Sequence, residues 1–144
     1  MGWTAPAVVR VDEPFVADER TMLAGFLDWQ RSTLLHKCAG LTGEQLATQA
    51  VPPSTLSLLG LVRHLTEVER TWLRVRFGGQ EVPNRYWRED RPTAAFDDLD
   101  PAQAEYGLAA LVTEQEAARQ AVAGLPLEQI FVSSRWGQMS LCWA

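Results

Sequence analysis

The sequence predicts an all-α fold: an up-down helical bundle of three long helices with the start of a fourth. Two observations predict it. Apolar residues recur at three- and four-residue spacing over 18–38, 57–76 and 100–123, and each stretch is bounded by capping or breaking residues. The only β-like run is short, Ile130 to Val132. At 144 residues, with 47% apolar and 22% charged side chains, the chain suits one domain with an ordinary core.

Residues 1–17 are irregular, because Pro6 and Pro14 break any helix. The bundle domain spans 18–144. Its first helix places Met22, Leu23, Phe26, Leu27, Gln30 and Leu34 on one stripe. Asp18 is the cap, Glu19 favours the positive end of the dipole and Gly40 is the stop. Thr42 and Gln45 match a capping box, and "PPS" at 52–54 ends the short turn that follows. The second long helix runs from Ser57 to Arg76 and closes at "FGG". Residues 80–99 lose periodicity and read as a loop, with Tyr86, Trp87 and Phe96 to pack it down. Asp100 and Pro101 open the third helix, with Gln103 at capping-box spacing. Leu108, Leu111, Gln115, Ala118 and Val122 share one side of it, and Gly124 and Pro126 end it. A polar turn around Gly137 precedes "MSLCWA", which reads as the opening of a fourth helix capped by Ser140.

Charge excludes some functions. A net charge of −5 with scattered arginines argues against nucleic acid or an anionic membrane as partner. No apolar run approaches the roughly 20 residues of a membrane span. The N-terminus lacks the basic and apolar regions of a signal peptide, so a cytoplasmic location is expected. Cys38 and Cys142 fit no CxxC pattern and are expected as free thiols. No Gly-rich phosphate loop, HExxH or Ser-His-Asp set is present.

The second helix carries the chemistry. At about 100° per residue, Leu58, Leu65, Val68, Trp72 and Val75 fall within about 60° of Leu61 and form a seam expected to face the core. Arg63 and Arg70 point to water on that wheel. His64 lies at the margin of the seam, with Glu67 one turn further. A margin histidine can simply pack its ring and bond to water or Glu67. It can also be a metal ligand or base aimed into the bundle, with Glu67 accepting its other N–H and fixing the tautomer. Gln30, on the buried side of the first helix, is a pocket candidate. His36 reads as a surface histidine complementing the dipole at its helix end, and Cys142 as core packing. Cys38 has no base beside it on the helix, so it reads poorly as a nucleophile.

The stretches "ADERTMLAGFLDWQRSTLLHKCAGLTGEQL", "VPPSTLSLLGLVRHLTEVERTWL" and "FDDLDPAQAE" resemble the actinobacterial branch of the DinB-like superfamily. Related members include proteins like mycothiol-dependent maleylpyruvate isomerase. The resemblance covers 15–143 and implies a four-helix bundle. It also implies a divalent metal, expected as Zn or Ni, held by one histidine on helix 2 and a pair on helix 4. His64 matches the helix 2 ligand. The segment like "MSLCWA" opens helix 4 in the family and the histidine pair lies beyond it, so the metal site is expected to be incomplete in this chain. Gln30 stands where the family often has histidine. The resemblance implies a metal-dependent enzyme acting on a small molecule, either a hydrolase or an S-transferase or isomerase using a low-molecular-weight thiol such as mycothiol. The alternative is a non-catalytic truncated bundle. It would form a homodimer through its exposed apolar seam or bind another protein's helix.

Overall fold

In the computed structural model, which describes residues 2–144, Asp18 opens α1 (Glu19–Cys38) by accepting hydrogen bonds from the Thr21 N–H and hydroxyl. The helix stops at Gly40, whose φ of +78° is a left-handed conformation that glycine adopts without a Cβ clash. A full capping box then starts α2 (Gly43–Ala47): Thr42 accepts the Gln45 N–H and the Gln45 side chain accepts the Thr42 N–H. Ser57 caps α3 (Leu58–Glu69) through the Gly60 N–H. This helix continues into a π-helical segment, Arg70–Phe77, and the Gly78 N–H reaches five residues back to the Leu73 carbonyl. One turn, α4 (Ala94–Asp97), forms inside the stretch expected as loop. A 3₁₀ turn at Pro101–Gln103 leads into α5 (Ala104–Val122). Asp100 caps that turn through the Ala102 N–H and not through a reciprocal box with Gln103.

The tail departs from expectation. "MSLCWA" does not open a helix. Gly137–Ser140 form β2, antiparallel to β1 (Ile130–Ser133), with Phe131 opposite Met139. Gly137, at φ +76°, closes the three-residue connection as hairpins of this length require. Met139 is buried and Phe131 packs edge-on against Phe77, so the hairpin is fastened to the end of the π segment.

The long helices are not arranged up-down throughout. Gly107 of α5 lies against Leu59 and Val62, Glu114 is paired with Arg70 and Arg74, and Gly78 meets Ala121. Contacts that advance together along both chains mean that α3 and α5 run parallel. A parallel pair needs a crossover to return the chain to its starting end, which is the work of residues 78–100. α1 runs antiparallel to α5, because Arg20 bonds the carbonyls of Val122 and Leu125 at the C-terminal end of α5 while Asp28 meets Arg119.

Leu59, Val62, Leu108 and Leu111 form the core, closed at one end by Cys38, Leu46, Ala5 and Ala104. The face turned to α5 is therefore Leu59, Val62 and Thr66 of α3, continued by Leu73 of the π segment, one position out of phase with the expected seam. Thr66 is accommodated because its hydroxyl donates to the Val62 carbonyl. Arg70, expected in water, is turned inward onto Glu114. Along the expected seam, Leu65 and Val75 are 37% and 36% exposed, and Leu23, Phe26 and Leu27 of α1 are also open. An apolar face is thus left uncovered between α1 and α3. α1 is held across it by long polar side chains, chiefly a bidentate Arg31–Glu69 pair at 2.6 Å.

Candidate active site

A cavity of about 570 Å³ lies where the crossover passes over α3 and the π segment. The helix contributes His64, Glu67, Trp72 and Arg76; the crossover contributes Asn84, Trp87 and Phe96. Glu67 holds the two together. Its Oε2 accepts the backbone N–H groups of Arg85, Tyr86 and Trp87 at 2.8, 2.7 and 3.3 Å. Three such donors satisfy and partly neutralise that oxygen. Oε1 is buried and has no hydrogen-bond partner among the described residues.

His64 sits one turn before Glu67 and is exposed, its ring tilted against Phe96 with centroids 5.1 Å apart. Arg63 anchors the crossover from its other side, donating to the carbonyls of Ala94 and Asp98 and lying over the Tyr86 ring. Burial raises the Tyr86 phenol above its ordinary value, which keeps it neutral at physiological pH.

The sequence candidates separate here. His64 and Glu67 come together at one cavity. Gln30 is exposed on α1 and does not line it. His36 is exposed as well. Cys38 is buried in the core, where burial pushes its thiol up to about 11, so it stays protonated and unreactive near neutrality. Cys142 is exposed and not core packing, with its Sγ 3.6 Å from a Glu19 oxygen. Both cysteines are free.

A catalytic metal needs about three protein donors and an open position. His64 and Glu67 make two, and among the described residues no group of three His, Cys, Asp or Glu side chains could hold a metal ion. The donor set present here does not fit a complete site.

Arg76 and the crossover residues escape a helical wheel. Glu67 and Arg76 are nine positions apart, which at about 100° each puts them on opposite faces of a regular helix. The π segment turns less per residue, so Arg76 swings back to the cavity side. Its guanidinium lies 4.0 Å from the Trp72 ring centroid and 5.4 Å from that of Phe131. The glycine pair ending the segment is visible in the sequence, but nothing local marks the change in pitch.

A family model described as Mycothiol-S-transferase matches residues 22–144. The chain belongs to the mycothiol S-transferase family. The DinB-like resemblance is thereby confirmed. Membership of a mycothiol-related family supports a mycothiol link and suggests a small-molecule substrate. No curated protein sequence and no solved structure matches the chain. Among the described residues of this transferase-family protein, no helix is long and apolar enough to cross a membrane.

Proposed function

We propose that this member of the mycothiol S-transferase family joins mycothiol to an electrophilic small molecule in the cavity between α3 and the crossover. The observation that carries the reading is the exposed imidazole of His64 one turn from a buried carboxylate with one oxygen unclaimed. His64 takes the proton of the thiol as general base. The sulfur's electron pair then forms the S–C bond. The leaving group departs with the pair of the bond that breaks, and His64 returns the proton to it. Glu67 Oε1 accepts a hydrogen bond from a donor of the thiol or substrate and fixes its position. Trp72, Trp87 and Phe96 supply apolar walls that limit water. The reducing cytoplasm is the expected compartment, because the cosubstrate works as a free thiol.

A divalent metal, expected as Zn or Ni, would take His64 as its ligand from this cavity, with Glu67 as the carboxylate beside it, and would act as a Lewis acid on the thiol. The test is thiol consumption with mycothiol and a panel of electrophiles. His64→Ala should lower kcat/KM by about 10²-fold or more, the usual scale for losing a general base. An unchanged rate would sink the assignment. Zinc or nickel that survives dialysis stoichiometrically and is lost in His64→Ala would make His64 a metal ligand and displace the base role.

A second reading has its own observation, the open apolar face of Leu23, Phe26 and Leu27 on α1 beside Leu65 on α3 and Val75 on the π segment. Such a face favours self-association into a homodimer, or capture of a helix from another protein. Sedimentation at micromolar concentration distinguishes these. A dimer that Phe26→Glu converts to monomer supports the homodimer; a monomeric wild type removes it.

A further inference from the structure

We propose that the substrate taken by this cavity is a carboxylic acid, and that Arg76 is the residue that selects it. The proposal rests on the reading that the cavity is the substrate site. Arg76 lines the cavity, and its Nη1 is buried without a hydrogen-bond partner among the described residues. Arg31, Arg70 and Arg74 are paired with Glu69 and Glu114, while Arg10 and Arg63, which each bury an unpartnered Nε, donate through other nitrogens to Thr33 and to the Ala94 and Asp98 carbonyls; Arg76 has no hydrogen-bond or ion-pair partner among the described residues. A partly desolvated guanidinium with no acceptor carries a cost that structures seldom leave uncompensated. Desolvation accordingly lowers the Arg76 pKa, with no opposing carboxylate to restore it.

The geometry favours an anion in the plane of the group. Its central carbon lies over the Trp72 and Phe131 rings, 4.0 and 5.4 Å from their centroids, and no acceptor among the described residues takes its in-plane N–H groups. Paired N–H donors in one plane match the two oxygens of a carboxylate. Stacking also fixes the fork, so less side-chain freedom is lost on binding.

Glu67 is the one carboxylate lining the cavity, and it does not oppose this. Its Oε2 is already held by three backbone N–H groups. It also lies nine residues away, at most about 13 Å along the helix axis. An acid seated on Arg76 therefore extends its other end toward His64 and Glu67, and the aromatic walls suit an apolar body between them.

The experiment compares phenylacetate with phenylacetamide, nearly isosteric probes that differ in charge, by calorimetric titration of the full chain without thiol. The wild type should bind the acid at least tenfold more tightly than the amide, with the ratio falling as salt rises. In Arg76→Gln the ratio should fall to near one, with amide binding retained. A wild-type ratio near one overturns the proposal while leaving the cavity as a binding site. A ratio preserved in Arg76→Gln overturns it too, by assigning selection elsewhere. Should Arg76→Gln fail to fold, Arg76→Lys keeps the charge but loses the fork. It should bind the acid at least threefold more weakly, and unaltered acid binding overturns the proposal. If neither probe binds the wild type, the reading of the cavity fails together with the proposal.

Discussion

Glu67 decides how the cavity is built. It is only 7% exposed, yet it is an acid, and burial of an acid is tolerated here because three consecutive backbone N–H groups converge on one of its oxygens. The same bonds hold the crossover down, so one side chain both closes the cavity and lines it. Glu67→Ala should release residues 85–87 and lower stability by about 3 kcal/mol, the scale of hydrogen bonds to a charged group left without their acceptor. Glu67→Gln keeps an acceptor oxygen and should lose about 1 kcal/mol. The check is amide hydrogen exchange at Arg85, Tyr86 and Trp87, which should accelerate in the alanine variant well beyond the rest of the chain. Protection unaltered at those amides would show that something else anchors the crossover.

At the scale of elements, two helical glycines should respond oppositely to alanine. A Cβ on Gly107 would sit 3.4 Å from Leu59 Cδ1 and 4.0 Å from Val62 Cγ1, ordinary contact distances between α5 and α3. Gly107→Ala should therefore stabilise by about 0.5–1 kcal/mol through helix propensity alone. A Cβ on Gly43 would meet the Pro101 carbonyl oxygen at 2.2 Å, and that backbone cannot move without displacing the start of α5. Gly43→Ala should destabilise by about 1–3 kcal/mol, the usual scale of overpacking. Urea unfolding of both variants tests the pair, and a loss of stability in Gly107→Ala would mean the two helices pack more tightly than described. The starts of α1 and α2 were legible because capping is local chemistry: Asp18 and Thr42 with Gln45 each bond within three residues. At the third long helix the expected box with Gln103 is replaced by a 3₁₀ turn that Asp100 caps through the Ala102 N–H. The buried face of α3 was not legible. Both of its candidate faces are apolar, and Thr66 and Glu69 are buried through a carbonyl and an arginine that no hydrophobic pattern records. β2 was missed for a related reason, since strand pairing with β1 is a non-local choice that outweighs the helical rhythm of "MSLCWA". His64 and Glu67 stood out by their spacing; Arg76, Asn84 and Trp87 depend on the change of pitch and on the crossover.

For the whole molecule, the parallel pair α3 and α5 and the standing-off α1 are joined by buried ion pairs. Glu114 is 2% exposed between Arg70 at 2.8 Å and Arg74 at 2.7 Å, and Arg31 reaches Glu69 at 2.6 Å. Removing one member of such a cluster leaves the other charges buried and unpaired, at about 3–5 kcal/mol. Glu114→Gln should accordingly lower stability by about 3 kcal/mol at neutral pH. Acid should act on the same cluster. Burial alone would raise the Glu114 pKa, but hydrogen bonds from Arg70 and Arg74 outweigh it and hold the carboxyl below its ordinary 4.5. Asp28 is likewise held below its ordinary 3.8: burial opposes this, and the bonds from Arg31 and Arg119 prevail. A carboxyl lowered in the folded state binds fewer protons than in the unfolded chain. Its stabilisation is thus complete above the ordinary value and is lost as pH falls through the lower, folded one. Thermal melts should show a wild-type Tm that is flat near neutrality and declines once pH passes below 4.5. The Tm gap between wild type and Glu114→Gln should narrow over the same range, because the variant has no proton to take up at that position. A gap that stays constant from neutrality into acid would mean that Glu114 is not the charge clamping α3 to α5.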